Sequence, residues 1–298
     1  MSRWKGKTKG GLTGYRIFIF LLKHFNIRAA YFLLYFVAFY FVVFAQKASK
    51  SMYYYFNTIL GYGFFKTIYY IYLNNLTFGK ILIDKVALMA GVPNKFTFDF
   101  DGEEYLHNMA EGEGGLLISA HIGNWEIAGH LLNRIKKPVH IVMLDAEHRN
   151  IKALLDNFMT NKSMNFITIK DDMSHLFRIK EVLQNNEIVA IHGDRFLPGS
   201  KTLTCDFMGE TAEFPTGPFY IAMKYKKPVT FVSAIKASSS HYKFKATKSR
   251  IYENSRSIVN REKVLRQMLD DYIDELQETL HQYPEQWFNY YYFWNKKN

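Results

Sequence analysis

A histidine and a glutamate stand five residues apart, where a predicted strand gives way to a predicted helix. Leu116–Ile118 is a continuous apolar run, which indicates a fully buried strand. Helical spacing begins after Asn124, a residue type that caps helices, so His121 follows the strand and Glu126 falls in the first helical turn. Ligands bind at this edge of open α/β sheets.

The two residue types suit general base chemistry. A neutral imidazole accepts the proton of an attacking hydroxyl or amine, and a carboxylate fixes its tautomer and stabilises the imidazolium. No serine or cysteine nucleophile is required, because the acceptor is itself the nucleophile. Two alternatives stay open. Such a pair also arises by chance, and Glu126 with His130 has a helical spacing that suits zinc, although no third ligand has a clear spacing.

A second polar group follows another apolar strand, predicted at Ile188–Ile191. It reads His192-Gly193-Asp194-Arg195. If the two strands are parallel, Asp194 and Arg195 stand at the same sheet edge as His121. An arginine there could bind a phosphate or stabilise the charge that develops on a thioester oxygen. The alternative is an Asp-Arg pair that closes a loop.

Two further positions are candidates for substrate binding. After a turn at Met208-Gly209, Thr216 and Gly217 open a predicted helix whose N-terminus is an anion site, with Thr216 as its cap. The alternative is an ordinary loop-to-helix junction. Arg149 precedes the helix predicted at Ile151–Phe158 and is either a functional arginine or a solvated charge.

The composition indicates a folded, basic chain of 298 residues that is 48% hydrophobic and 17% aromatic. The net charge of +11 implies an acidic partner, namely an anionic lipid, an acidic carrier protein or nucleic acid. No nucleic-acid motif appears, so we expect no nucleic-acid partner. The single cysteine, Cys205, excludes an internal disulfide and any zinc site built from several cysteines.

The N-terminal region has the pattern of a membrane-associated segment. Basic residues precede an aromatic stretch, and residues 29–45 contain no charge, slightly short of the roughly 20 residues that span a bilayer. This segment either crosses the membrane or inserts in one leaflet; the alternative is a buried core helix. We predict two or three more helices over 48–90, and a division into a helical membrane-associated region (1–95) and a catalytic domain (96–298).

Residues 97–103 are predicted to form a short strand and a turn, and from residue 114 onward apolar strands alternate with helices, which is the pattern of an α/β sheet. Asp101-Gly102 is a common hairpin signal. A charged amphipathic helix is predicted over 260–282. The remaining predicted strands are Val139–Met143, Phe166–Ile169, Pro228–Ile235 and Tyr242–Ala246, and the remaining predicted helices are Ser174–Leu183 and Thr216–Tyr225.

Ser119–Glu126 resembles the first block of the lipid A late acyltransferases, within the glycerolipid acyltransferase superfamily, and Tyr283–Asn289 resembles their closing block. The resemblance implies a mixed sheet flanked by helices, with His121 as general base and Glu126 as its orienting partner. It also implies that a set of residues binds substrate: Asn124, Arg149, Asp194, Arg195, Thr216 and Gly217.

The same resemblance implies a reaction and a location. A fatty acyl chain would move from acyl carrier protein, or less commonly from coenzyme A, to a lipid hydroxyl, without metal or redox cofactor. The acceptor would be lipid A, at the cytoplasmic face of the inner membrane. Two departures from the family pattern, Arg195-Phe196 and the aromatic run Tyr290–Trp294, favour a divergent branch linked to aryl-polyene pigment lipids. A non-catalytic lipid-binding protein is the alternative of another class.

Overall fold

The structure is a computed structural model that describes residues 17–18, 20–22, 24–89, 91, 95–125, 127, 135–144, 165–170, 172–253 and 258–294. The helices are α1 (Ile27–Phe44), α2 (Gln46–Tyr53), a π-helix (Tyr54–Ile59), α3 (Phe64–Met89), α4 (Glu103–Glu111), α5 (Ser174–Gln184), α6 (Gly217–Tyr225), α7 (Ile258–Gln282) and a 3₁₀ turn (Pro284–Gln286). The strands are β1 (Thr97–Asp101), β2 (Gly115–Ser119), β3 (Val139–Leu144), β4 (Asn165–Ile169), β5 (Ile188–His192), β6 (Thr202–Phe207), β7 (Glu210–Pro215), β8 (Val229–Lys236) and β9 (His241–Ala246).

Seven strands form one mixed sheet, in the order β1-β9-β8-β2-β5-β3-β4. Strands β8, β2, β5, β3 and β4 are parallel, so their carboxyl ends share one edge, while β9 runs antiparallel to β8. Helices flank the sheet, which confirms the predicted fold class. Strand β2 lies at the centre and is buried from Gly115 to Ile118, which explains its uninterrupted apolar sequence.

The hairpin predicted at Asp101-Gly102 is wrong. Strand β1 ends there, but Gly102 takes a left-handed conformation (φ +77°) and leads directly into α4, while β1 pairs in parallel with β9. A β-carbon at Gly102 would lie 2.1 Å from the carbonyl oxygen of Ala246, so only glycine fits this close approach. The chain does turn at Asp101-Gly102, as predicted, but the element that follows the turn is a helix.

A true hairpin forms between β6 and β7, outside the main sheet. Met208 and Gly209 both have positive φ (57° and 82°), as a two-residue hairpin turn requires. This confirms the predicted turn. The helix predicted at Ile151–Phe158, and most of the helix predicted after Asn124, lie outside the described residues.

Helix α1 packs against α3 along one face only. Gly79 permits the close contact, since a β-carbon there would lie 2.4 Å from Leu34 Cδ1. Among the described residues, α1 is the one helix long and apolar enough to cross a membrane, and 22% of it is buried. Most of its surface therefore does not belong to the protein core. Its exposed side chains include Phe32, Tyr35, Phe36, Phe39, Tyr40 and Phe44.

One hydrophobic core joins the N-terminal helices to the sheet. Met52, Tyr55 and Phe56 belong to the same cluster of buried residues as Leu116 and Ile118 of β2. The C-terminal aromatics enter this cluster as well, with the Tyr55 ring stacked 5.9 Å from that of Trp294. The helices before residue 95 thus share a core with the body that carries the site.

Candidate active site

Two pairs of polar side chains lie at the carboxyl ends of strands β2 and β5, and each pair has one residue from either strand end. The register sets Ser119 opposite His192, and two residues further along, His121 bonds Asp194. Because side chains alternate along a strand, residues two apart lie on the same face of the sheet. We name Ser119/His192 the inner pair and His121/Asp194 the outer pair; both lie at the carboxyl edge.

The outer pair is a hydrogen-bonded imidazole and carboxylate. His121 Nδ1 lies 2.7 Å from Asp194 Oδ1, and the backbone N–H of His121 donates to Asp194 Oδ2 at 2.9 Å. Trp287 Nε1 donates to the same oxygen at 3.3 Å. The Asp194 side chain is 1% exposed, whereas that of His121 is 16% exposed. The prediction that Asp194 shares a sheet edge with His121 is confirmed.

The electrostatics of the outer pair favour an ionised carboxylate. Burial opposes ionisation of Asp194, but the neighbouring His121, its hydrogen bond and Arg195 outweigh burial and hold the pKa of Asp194 below its ordinary value. The carboxylate therefore accepts the Nδ1 proton of His121 and leaves Nε2 as the basic nitrogen. Glu126, the predicted orienting partner, lies outside the described residues, and its role stays a prediction.

The inner pair joins a hydroxyl to a second imidazole. Ser119 Oγ lies 2.8 Å from His192 Nδ1, and the His192 ring centroid lies 4.2 Å from that of His121. The edge of Trp125 packs against His192 at 5.0 Å. Burial, with a smaller contribution from His121, holds the pKa of His192 well below its ordinary value, so the ring is neutral. We did not predict this pair from the sequence. A signal for it exists, because Ser119 and His192 each lie two residues before a member of the outer pair.

The closing motif of the sequence holds the loop that carries His121. The backbone N–H of Phe288 donates to the carbonyl of His121 at 3.0 Å, and that of Gly123 donates to Gln286 at 2.9 Å. Arg195 Nη2 donates to the carbonyl of Phe288 at 2.6 Å. Arg195 therefore ties the C-terminal segment to the site; its predicted binding of substrate is untested by this contact.

The other predicted site residues have different positions. Asn124 Oδ1 accepts from the N–H of Ile127 at 3.2 Å, which confirms it as a helix cap. Thr216 precedes α6, but the predicted cap is wrong: its backbone is helical, and its hydroxyl donates to the carbonyl of Lys201 at 3.1 Å. Gly217 begins α6. Arg149 lies outside the described residues.

An apolar cavity lies between this face of the sheet and α4. The inner pair forms part of its wall, and Leu117 and Ala190, one step earlier on the same strands, continue that wall away from the edge. The rest of the lining is mainly apolar and includes Phe100, Leu106, Trp125, Ile135, Ile141 and Phe244. The cavity therefore offers an apolar space that ends at polar groups.

His121, His192 and Asp194 are also close enough to hold a metal ion, since one ligand atom of each lies within 4.8 Å of the others. In the structure these groups bond within the two pairs instead, His121 to Asp194 and His192 to Ser119. The zinc alternative considered from the sequence used Glu126 and His130, which lie outside the described residues.

A carboxylate-bonded imidazole at the carboxyl edge of a mixed sheet, near an apolar cavity, suits a general base that acts on a substrate hydroxyl. The chain belongs to the bacterial lipid A biosynthesis acyltransferase family, whose model matches residues 15–295. It is therefore an acyltransferase that acts on lipids. No curated protein matches the chain significantly.

Among solved structures, the chain is similar to the 1-acyl-sn-glycerophosphate (LPA) acyltransferase PlsC from Thermotoga maritima. The sequences are 16% identical, the TM-score is 0.38, and the match covers 83% of this chain and 97% of that chain.

Proposed function

We propose that the protein transfers a fatty acyl chain from acyl carrier protein to a hydroxyl of a lipid A precursor, at the cytoplasmic face of the inner membrane. The observation that carries the proposal is the outer pair, in which buried, ionised Asp194 holds the partly exposed ring of His121. This geometry suits a general base that acts on an incoming hydroxyl.

The proposed step is direct acyl transfer. His121 Nε2 accepts the proton of the acceptor hydroxyl while its oxygen attacks the thioester carbonyl. The tetrahedral intermediate then collapses to the ester as its C–S bond breaks, and the leaving thiolate takes the proton from the imidazolium, so His121 returns to its neutral form. Asp194 keeps the ring oriented throughout and stabilises its charged form. Arg149 or Arg195 would bind phosphate or stabilise the oxyanion.

The apolar cavity supports a fatty acyl substrate. A chain that lies along Leu117 and Ile141 would place its carbonyl at the polar end of the wall, formed by Ser119 and His192, with His121 two residues beyond Ser119. Burial of each methylene in such a cavity stabilises binding by about 0.8 kcal/mol.

The basic charge supports an acidic donor such as acyl carrier protein, because a net charge of +11 accelerates encounter with an anion. The lysines of residues 224–227, however, precede β8 and so lie at the amino edge of the sheet. There Lys227 donates to the carbonyl of Glu113 at 2.8 Å and to Asn186 at 2.7 Å. We therefore expect the carrier to dock elsewhere, on the edge that holds His121.

The exposed aromatic face of α1 supports membrane association. The opposite face is packed on α3, and near the N-terminus of α1 the hydroxyl of Tyr31 bonds buried Asp84 and the carbonyl of Ser239 (3.2 Å). A helix held in this way can bury its aromatic face in one leaflet while it stays attached to the catalytic body. This geometry favours insertion in one leaflet over a span.

Lipid analysis tests the function and the acceptor together. We expect lipid A to lose one acyl chain in mass spectra of cells that lack the protein or carry His121→Ala, while the variant stays folded and in the membrane fraction. General base removal lowers turnover by about 10²- to 10⁴-fold. Complementation with the wild-type chain is the control. Wild-type lipid A acylation by His121→Ala would refute the proposal.

The same experiment distinguishes a second acceptor class. In the aromatic run Tyr290–Trp294, where the family pattern that the chain resembles has arginines, Phe293 and Trp294 are buried in the aromatic core and offer no charged ligand for a phosphate. This observation favours an acceptor with fewer phosphates. Unchanged lipid A with loss of another acylated lipid would keep the chemistry and move the acceptor to that class.

A further inference from the structure

His192 occupies a position between the apolar cavity and the proposed base. At the carboxyl ends of β2 and β5, three successive residue pairs run from apolar to polar; the first two are in register within the strands, and the third lies just beyond both strand ends. In order toward the carboxyl edge, they are Leu117/Ala190, Ser119/His192 and His121/Asp194. An acyl chain in the cavity, with its carbonyl within reach of His121, therefore has its carbonyl beside the His192 ring.

The surroundings of His192 restrict it to one useful role. Its ring is half-buried, its pKa is held well below the ordinary value, and the charged or titratable groups that face it are His121, Asp194 and Arg195. Arg195 is a cation and His121 becomes one during the reaction, so a third positive charge on His192 is unfavourable. A ring that stays neutral throughout turnover is a poor proton acceptor, but it still has one N–H to donate.

We propose that His192 is a second catalytic residue, whose neutral imidazole donates its Nε2–H to the oxyanion that forms at the thioester carbonyl. With the proton on Nε2, the Ser119 hydroxyl, 2.8 Å from His192 Nδ1, donates to that nitrogen and stabilises this tautomer. The proposal rests on the acyl transfer proposed above and adds a residue to it.

The proposed role involves no transfer of a proton to or from His192. When the acceptor oxygen attacks, the carbonyl π electrons move to oxygen, and the Nε2–H bond to that oxygen strengthens as its charge grows. When the thiol leaves, the carbonyl re-forms and the bond weakens again. Since the imidazole enters and leaves the cycle neutral, no counter-charge has to be reorganised around it.

Two substitutions separate hydrogen-bond donation from packing. His192→Phe fills the space without a donor, and we expect kcat to fall about 10²- to 10³-fold with a small change in the KM for the acceptor. His192→Gln restores an N–H donor and should recover at least part of that loss. His140→Gln is the matched control: this buried histidine lies near the amino edge of the same sheet, bonded to Glu187 at 2.6 Å, and its loss should leave kcat unchanged.

Equal losses of kcat in His192→Phe and His192→Gln, or a wild-type kcat in His192→Phe, would overturn the proposal. A measurement on the wild-type protein avoids any folding defect of the variants. In ¹⁵N NMR at neutral pH, we expect His192 to be the neutral tautomer with the proton on Nε2. Ser119→Ala should reduce the population of that tautomer. An imidazolium, or a proton on Nδ1, would refute the role whatever the variants show.

The failure of this proposal can be told apart from failure of the function it rests on. If His121→Ala abolishes acyl transfer and His192→Phe does not, only the second catalytic residue is wrong. If the wild-type protein transfers no acyl group to any lipid hydroxyl, the proposed function is wrong, and the catalytic role of His192 falls with it.

Discussion

Among the described residues, two aspartates are almost completely buried, and their pKa values are shifted in opposite directions. Asp194, in the outer pair, is 1% exposed and bonds His121. Asp84, on α3, is 0% exposed and accepts hydrogen bonds from Lys236, Tyr31 and Tyr242. Both are carboxylates within reach of a cationic group, so burial and pairing alone do not explain the difference between them.

The pKa shifts of the two carboxyl groups run in opposite directions. Burial raises the pKa of Asp84, and the neighbouring Lys236 compensates only in part. For Asp194, burial acts in the same direction, but His121 and Arg195 outweigh it and lower the pKa. Lys236 is itself deeply buried, and burial lowers its pKa, whereas the ring of His121 keeps contact with solvent.

The partners of the two carboxylates explain what each is for. The donors to Asp84 come from three elements: α1 (Tyr31), β8 (Lys236) and β9 (Tyr242). Asp84 therefore fixes the N-terminal helices on the sheet. Asp194 instead orients one imidazole and leaves its second nitrogen for substrate. Asp84, whose partners are all buried or part of the protein interior, therefore stabilises the fold. Asp194, whose partner His121 is accessible to solvent, can take part in catalysis.

The two regions are nevertheless in contact. The hydroxyl of Tyr242 accepts from Asn124 Nδ2 at 3.3 Å, and Asn124 is three residues from His121. The side chain of Gln286 bonds both backbone groups of Lys236 at 2.9 Å, while its own carbonyl accepts from Gly123. The group around Asp84 thus supports the loop that carries the base.

The largest expected effect is on turnover, in Asp194→Asn. An amide cannot accept the Nδ1 proton of His121 in the same way, so the ring loses its tautomer and the stabilisation of its charged form, and we expect kcat to fall up to about 10⁴-fold. Acyl transfer in detergent measures it. A kcat within a few-fold of wild type would show that another group, such as Glu126, orients His121.

The next effect is on stability, in Asp84→Ala. This change leaves Lys236 buried without its carboxylate, which costs about 3–5 kcal/mol in the free energy of unfolding. The activity per folded molecule should fall far less than in Asp194→Asn, because Asp84 reaches the loop of His121 indirectly, through Tyr242 and Asn124. Denaturant unfolding and acyl transfer on the same samples test the contrast.

A matched double variant distinguishes pairing from packing at Asp84. Asp84→Leu combined with Lys236→Met removes both charges, and we expect it to recover most of the stability lost in Asp84→Ala. If the double variant is as unstable as the single one, the tyrosine hydrogen bonds and not the ion pair hold α1 on the sheet.

The comparison also separates what the sequence predicts from what it does not. The strand before His121 was predictable, because a buried parallel strand has an uninterrupted apolar sequence, and so was the shared edge with Asp194. The bonding of Asp194 to His121 depends on the register between two strands 73 residues apart, which spacing along the chain does not encode. The same holds for Asp84 and Lys236, which are 152 residues apart.

Acid unfolding distinguishes the two carboxylates, because protonation changes the free energy of unfolding in opposite directions for Asp194 and Asp84. Because the folded pKa of Asp194 is lowered, its contribution to stability is complete above the unfolded pKa of about 3.9 and is lost as the pH falls through the folded pKa. Because the folded pKa of Asp84 is raised, its contribution has the opposite sign: it is complete below the unfolded pKa and is lost as the pH rises through the folded pKa.

Below about pH 4, Asp194→Asn should therefore lose stability on acidification less steeply than the wild type. Above about pH 4, up to the raised pKa of Asp84, Asp84→Asn should lack the stability that the wild type gains there on acidification, so the two variants differ from the wild type in different pH ranges. Unfolding free energies from denaturant titrations at a series of pH values give these slopes. Parallel curves for the two variants would show that the carboxylates do not differ in proton affinity, and the division between a reactive and a structural aspartate would then rest on geometry alone.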